Sequence, residues 1–192
     1  MYRKVLSFVF VLVIGLALTV PGSSAVSLAA EGTPIPGGDI SGTWTAAGSP
    51  YLIEGDITVP AGQTLVIEPG VQVIYQSWYK LTVNGTLRAE GTASNPILFT
   101  GSHPTAGWLG IRFIDAPDGS QLTHVIVEKG RATRASPEDS GGGIYVKNSN
   151  PTISNSTIRD NFAKRRGGGI YLENSNARLV GNTIASNSAG QG

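Results

Sequence analysis

The stretch GGGIYVKNSN at residues 141–150 returns as GGGIYLENSN at 167–176, and the match runs beyond it. Aligned without a gap, residues 141–166 and 167–192 agree at twelve of 26 positions, among them Asn148/Asn174, Thr157/Thr183, Ile158/Ile184, Asn161/Asn187 and Ala163/Ala189. That period is too short for a propeller blade and falls among solenoids that add one coil per repeat. Within each unit the apolar residues alternate, Ile144 with Val146 and Ile170 with Leu172, then stand singly at Ile153/Leu179 and Ile158/Ile184. A period of two denotes strand. Similar pairs continue upstream at Ile57/Val59, Leu65/Ile67, Leu81/Val83, Ile97/Phe99, Ile111/Phe113 and Val125/Val127, separated by turn residues such as Pro69-Gly70 and Asn84-Gly85.

A meander of hairpins would not generate a gapless repeat several strands long, whereas a chain wound round an axis returns to the same corner once per turn. The sequence therefore predicts an all-β, right-handed parallel β-helix solenoid with three short strands per coil. Residues one coil apart then lie about 4.8 Å from one another. Asn148 over Asn174 and Asn161 over Asn187 are expected to form amide ladders, and Ile144 over Ile170 to form core. A leucine-rich-repeat horseshoe shares the period and the asparagine ladder, but leucine is too scarce here for it.

The formal charge of +1 gives no field that would gather nucleic acid, and no nucleic-acid motif is present. With no cysteine, neither disulfides nor thiolate metal sites are available, and two histidines, His103 and His124, leave little scope for a histidine metal centre. Arg3 and Lys4 precede an apolar run from Val5 to Val20, followed by Pro21-Gly22 and small residues up to Ala25. That is a secretory signal layout over 1–25, cut after Ala25 or after Ala29, with a retained membrane anchor as the alternative. Residues 26–50 are expected to be linker and N-terminal cap, and 51–192 the repeats. Gly192 closes a second full repeat with no capping element after it, so the expectation is a helix that continues in a longer chain.

The segments DITVPAGQTLVIEPGVQVIY (56–75), LTVNGTLRAEGTASNPILFT (81–100), WLGIRF (108–113) and the two GGGIY units resemble secreted bacterial proteins of the right-handed parallel β-helix, pectin-lyase-like group. The resemblance runs from about Asp39 to Gly192. It implies the fold and says little of function, since this architecture carries lyases, hydrolases, epimerases, esterases and adhesins alike. None of the group's catalytic motifs is visible: no paired Asp-Asp, no Arg-x-Pro-x-x-Arg, no Asp-Pro-His-Asp.

Alternation points Tyr145 and Lys147 outward, and Tyr171 and Glu173 one coil later. A stack of two tyrosines on an exposed face can carry the apolar side of a sugar ring; the simpler reading is an aromatic ladder that only stabilises the sheet. Trp78 and Tyr79 break the strand pattern and are expected on a loop as a second contact candidate, while Trp108 is expected in the core or at an edge. Arg165 and Arg166, within a basic turn, could grip uronate or sulfate groups. Glu138, Asp139, Asp160 and Arg159 are the acid/base candidates, although no spacing shows a working carboxylate pair. No cofactor is expected. The run DAPDGS (115–120) suggests calcium only superficially, because it lacks the alternating ligands of a calcium loop. His124 reads as a surface strand residue, and the sequons at Asn84 and Asn155 mean little if the source is bacterial.

Two functions follow. The first is a secreted or surface-displayed scaffold whose partner is a polysaccharide or cell-surface glycan, touching a membrane only through an uncleaved signal segment. The second is a polysaccharide lyase or hydrolase whose catalytic coils lie elsewhere.

Overall fold

The computed structural model describes residues 32–103 and 107–191. The signal-segment expectation lies outside the described residues. The chain climbs as a coil. Its first turn runs through β1 (Thr33–Ile35), β2 (Gly38–Asp39) and β3 (Gly42–Trp44), and its second through β4 (Tyr51–Ile53), β5 (Ile57–Val59) and β6 (Thr64–Ile67). The third holds β7 (Gln72–Tyr75), β8 (Leu81–Val83) and β9 (Thr86–Glu90), and the fourth β10 (Ile97–Gly101), β11 (Ile111–Ile114) and β12 (Gln121–Thr123). The fifth adds a short strand to the set: β13 (Val125–Glu128), β14 (Arg131–Ala132), β15 (Ile144–Lys147) and β16 (Thr152–Ser154). The sixth repeats that layout with β17 (Thr157–Arg159), β18 (Phe162–Ala163), β19 (Ile170–Glu173) and β20 (Arg178–Val180), and β21 (Thr183–Ala185) and β22 (Ser188–Ala189) open a further turn.

Each strand pairs in parallel with its counterparts one coil away, giving three long sheets and one short one. The architecture is a right-handed parallel β-helix, the hand that parallel crossovers take when a right-twisted strand packs back on its own sheet. Parallel sheets are usually covered on both faces and read as continuous apolar runs. Here the sheets close on one another, so only one face is buried and the alternation survives in the sequence.

The interior is built from columns in register. Tyr51, Val73, Phe99, Val127, Ile158 and Ile184 form one, and Ile57, Leu81, Ile111, Ile144 and Ile170 another. Side chains in the middle coils are fully buried, each stabilising the fold by about 1.5–3 kcal/mol. Trp108 lies in the core as expected, its ring 4.2 Å from that of Tyr75 and its indole N–H donating to the carbonyl of Glu128 at 2.9 Å. In the last coil the interior columns open to solvent, Leu172, over Val146, at 38% and Ile184 at 51% exposure.

Residues 33–44, expected as linker and cap, already form a coil in ladder register with the next. Their strands are two or three residues long with few apolar positions, too short to show a period.

The corners explain several repeats. Asp115, Asn148 and Asn174 follow β11, β15 and β19 and share a left-handed backbone with φ of 49°, 48° and 49°. Asn148 does not ladder with Asn174: its amide donates to the Asp115 carboxylate at 2.8 Å. The recurring asparagine satisfies a conformation that few other residues tolerate. His124 occupies the next corner, between β12 and β13, with φ of 47°, as Asn155 does one coil later with φ of 49°, so it is a corner residue and not the strand residue expected.

Asn161 and Asn187 do form a ladder. The Asn161 amide nitrogen donates to Asn187 Oδ1 at 3.0 Å and to the Val127 carbonyl at 3.0 Å, while its Oδ1 accepts from the Gly130 N–H at 2.8 Å. The GGG block belongs to the same device. Gly141 takes φ of +65°, and a side chain on Gly143 would meet Asn161 Nδ2 at 2.9 Å. Asn182 does similar work one corner away, accepting from the Ser156 N–H at 2.9 Å and donating to the Ile153 carbonyl at 2.8 Å.

Candidate functional site

On the outer face of the sheet containing β11, β15 and β19, one column runs Thr58, Thr82, Arg112, Tyr145, Tyr171. The fifth coil carries extra chain between β14 and β15. Equivalent positions there are offset by 31 residues, against 26 in the coil after it. The surplus forms a strap, residues 133–140, which turns back on itself through a bond from the Glu138 N–H to the Ala135 carbonyl at 2.9 Å.

The strap is held at several points. Both terminal nitrogens of Arg112 donate to the Ser140 carbonyl, at 3.2 and 3.3 Å, and one also reaches the Pro137 carbonyl at 3.4 Å. Lys80 donates to the Glu138 carboxylate, Arg134 lies 3.7 Å from the same group, and Arg134 donates to the carbonyl of Trp78 at 3.0 Å. Burial raises the Glu138 carboxyl, but the hydrogen bond and charge of Lys80, with Arg112 and Arg134, outweigh it and hold the group below its ordinary value.

Tyr145, expected on an exposed face, is 1% exposed. It points outward as alternation requires, but the strap and its neighbours in the column cover it. Its ring stacks on Tyr171 with centroids 5.8 Å apart, the Arg112 guanidinium carbon lies 5.2 Å from its centroid, and its hydroxyl donates to Glu173 at 2.7 Å. Burial, then the bond to Glu173 and its charge, push the Tyr145 phenol up, so it stays a donor. That hydrogen bond, with Lys147 at 3.1 Å, holds the Glu173 carboxyl down and ionised. Arg112 is lowered to about 10 by burial, an effect that Glu138, Tyr145 and Asp139 oppose.

Beside the strap lies a shallow cleft of about 50 Å3, open to solvent, with Tyr171 and Glu173 on the sheet side, Asp139 and Ser136 on the strap, and Arg165 and Arg166 on the turn before β19. Tyr171 is half-buried and both arginines are exposed. The structure thus gathers Tyr171, Arg165 and Arg166, with Tyr145 as the covered floor. It does not gather Trp78 and Tyr79. Both are half-buried on the turn before β8, and Tyr79 packs against the core, so they are no exposed aromatic pair.

Of the acid/base candidates only Asp139 faces the cleft, together with Glu173, which the alternation places simply as Tyr171's outward neighbour. Glu138 is committed to the strap. Arg159 is bound to Glu128 at 2.7 Å, and Asp160 sits at an exposed corner. The Asp115 and Asp118 carboxylates accept from Asn148 and Asn150, and no group of three or more potential metal-ligating side chains occurs among the described residues. No helix among them is long and apolar enough to cross a membrane.

The cleft lies in the part of the chain, residues 107–192, that matches the family model described as right handed beta helix region. Protein bark beetle of Drosophila melanogaster is 37% identical over 78 residues, 36% of this chain and 2% of that protein. This chain therefore spans a small part of the length of the curated relative it matches. No solved structure matches the chain.

Proposed function

We propose that the chain is a secreted or surface-displayed β-helix scaffold that binds a glycan in the cleft beside the strap. One observation carries the reading. A half-exposed tyrosine ring, Tyr171, is fixed by stacking on a buried one and is flanked by charged hydrogen-bonding groups of both signs. An immobilised aromatic face with polar groups at its margin suits a sugar, which offers C–H bonds on one face and hydroxyls at its rim. The signal layout at residues 1–25 supports export, which the N-terminal residue of the exported protein tests. For binding, the test is a glycan array followed by titration of the best ligand. Tyr171→Ala should weaken binding at least about tenfold, roughly 1.4 kcal/mol, while Tyr79→Ala should not change it. Unaltered affinity of Tyr171→Ala for every ligand would abandon the reading.

The second reading, a polysaccharide lyase or hydrolase, is favoured by Asp139 and Glu173 lining one cleft. Assay of pectin, alginate and hyaluronan for new unsaturated or reducing ends separates the two, since a binding scaffold produces neither.

A further inference from the structure

Arg112 is out of keeping with its surroundings. It is 2% exposed, its Nε has no partner among the described residues, and its remaining contacts are neutral carbonyls and a tyrosine ring. None of the described carboxylates forms an ion pair with it. A buried cation is tolerated when an anion answers it and is costly otherwise. The nearest answer is offered by the strap. Glu138 hydrogen-bonds to Lys80, lies 3.7 Å from Arg134, and acts on Arg112 through its charge alone. Three cations from three separate parts of the chain, β11, the turn before β8 and the strap itself, thus surround one carboxylate. The coil after it has no such strap. The equivalent turn of the sixth coil, residues 164–169, is short and leaves Tyr171 half open.

We infer that residues 133–140 form a displaceable cover over an anion-binding position, with Glu138 as its intramolecular occupant and the carboxylate or sulfate of an acidic saccharide as the competitor. The ligand's anionic group takes the place of Glu138 on Lys80, and lifting the strap frees the Arg112 guanidinium from the Ser140 and Pro137 carbonyls to meet it. The same movement bares Tyr145 and lengthens the aromatic platform from one ring to two. The saccharide part of this inference rests on the glycan-binding reading above; the anion position rests on Arg112, Lys80 and Glu138.

The test uses the full chain with two readouts: labelling of Arg112 by phenylglyoxal, followed by mass spectrometry, and affinity for dextran sulfate against uncharged dextran. Arg112 of the wild type should resist labelling. Glu138→Gln should label several-fold faster and bind dextran sulfate about tenfold more tightly, with dextran binding unchanged. Glu54→Gln, which removes an exposed carboxylate elsewhere, should alter neither readout and controls for net charge. Lys80→Gln also unlatches the strap but removes a cation, so labelling should rise while dextran sulfate binding does not. It serves as well if Glu138→Gln fails to fold. Protection of Arg112 in both variants, or a gain in Glu138→Gln no larger than in Glu54→Gln, overturns the inference. A gain confined to Glu138→Gln in a chain whose Tyr171→Ala variant loses nothing would retain the anion position and remove the glycan reading alone.

Discussion

Asn161 shows how much a single side chain carries in this fold. It is 1% exposed and satisfies an N–H and a carbonyl of the coil before it while meeting Asn187 of the coil after it. Asn161→Ala strands these buried groups, and the expected loss is about 2–4 kcal/mol, read by denaturant unfolding, since each unsatisfied buried group costs roughly 1–3 kcal/mol. Tyr75 is the opposite case. Its hydroxyl is buried without a partner among the described residues, and burial, then the charge of Asp56, raises its phenol well above the ordinary value. Tyr75→Phe should therefore raise stability by about 1 kcal/mol in the same measurement. The Asn161/Asn187 ladder was legible because like residues recur in register. The Asn148/Asn174 repeat looks the same in sequence but answers to backbone conformation, which letters alone do not distinguish from side-chain pairing. The role of Asn182 was hidden because its counterpart one coil earlier is Ser156.

At the level of the element, the strap decides what the outer face can do. Alternation correctly places Tyr145 outward, yet outward is not exposed when an insertion folds over the sheet, and no local pattern announces where an insertion will lie. The strap's latch has a pH signature. The folded Glu138 carboxyl is held below its ordinary value, so its contribution is present above the unfolded value near 4.5 and is lost as pH falls through the lower folded value. Thermal melts of wild type and Glu138→Gln should differ at neutral pH and converge as the pH falls from the unfolded value through the lower folded one. A constant difference across that range would mean that the Glu138 charge does not hold the strap. Arg165 and Arg166 were legible as a basic turn, but their placement beside Tyr171 depends on a turn one coil after the strap, a relation set by the winding of the chain.

For the whole molecule, stacking in register makes the contribution of an apolar residue depend on its height in the coil. Ile144 and Leu172 both point inward, and the repeat treats them alike. Ile144 is fully buried between coils, however, whereas Leu172 is 38% exposed in the last one. Ile144→Ala should cost about 2–5 kcal/mol, and Leu172→Ala roughly 1 kcal/mol or less, by equilibrium unfolding. Equal costs would contradict the columnar core. The period of the last repeat and the interior columns were readable from the repeat, because register fixes them together, but the two-residue strands β14 and β18, which raise the count to four in the fifth and sixth coils, were not. The first coil was not, since its strands are too short to alternate. The function is less legible than the fold because the cleft is assembled from β15, β19, the strap and the turn before β19. The measurement that tests it most directly is titration of the best array glycan against wild type and Tyr171→Ala, with an intact fold verified by circular dichroism. Binding by the wild type and a loss of at least about tenfold in the variant is the predicted result; equal binding, or none by either protein, would contradict a glycan site in the cleft.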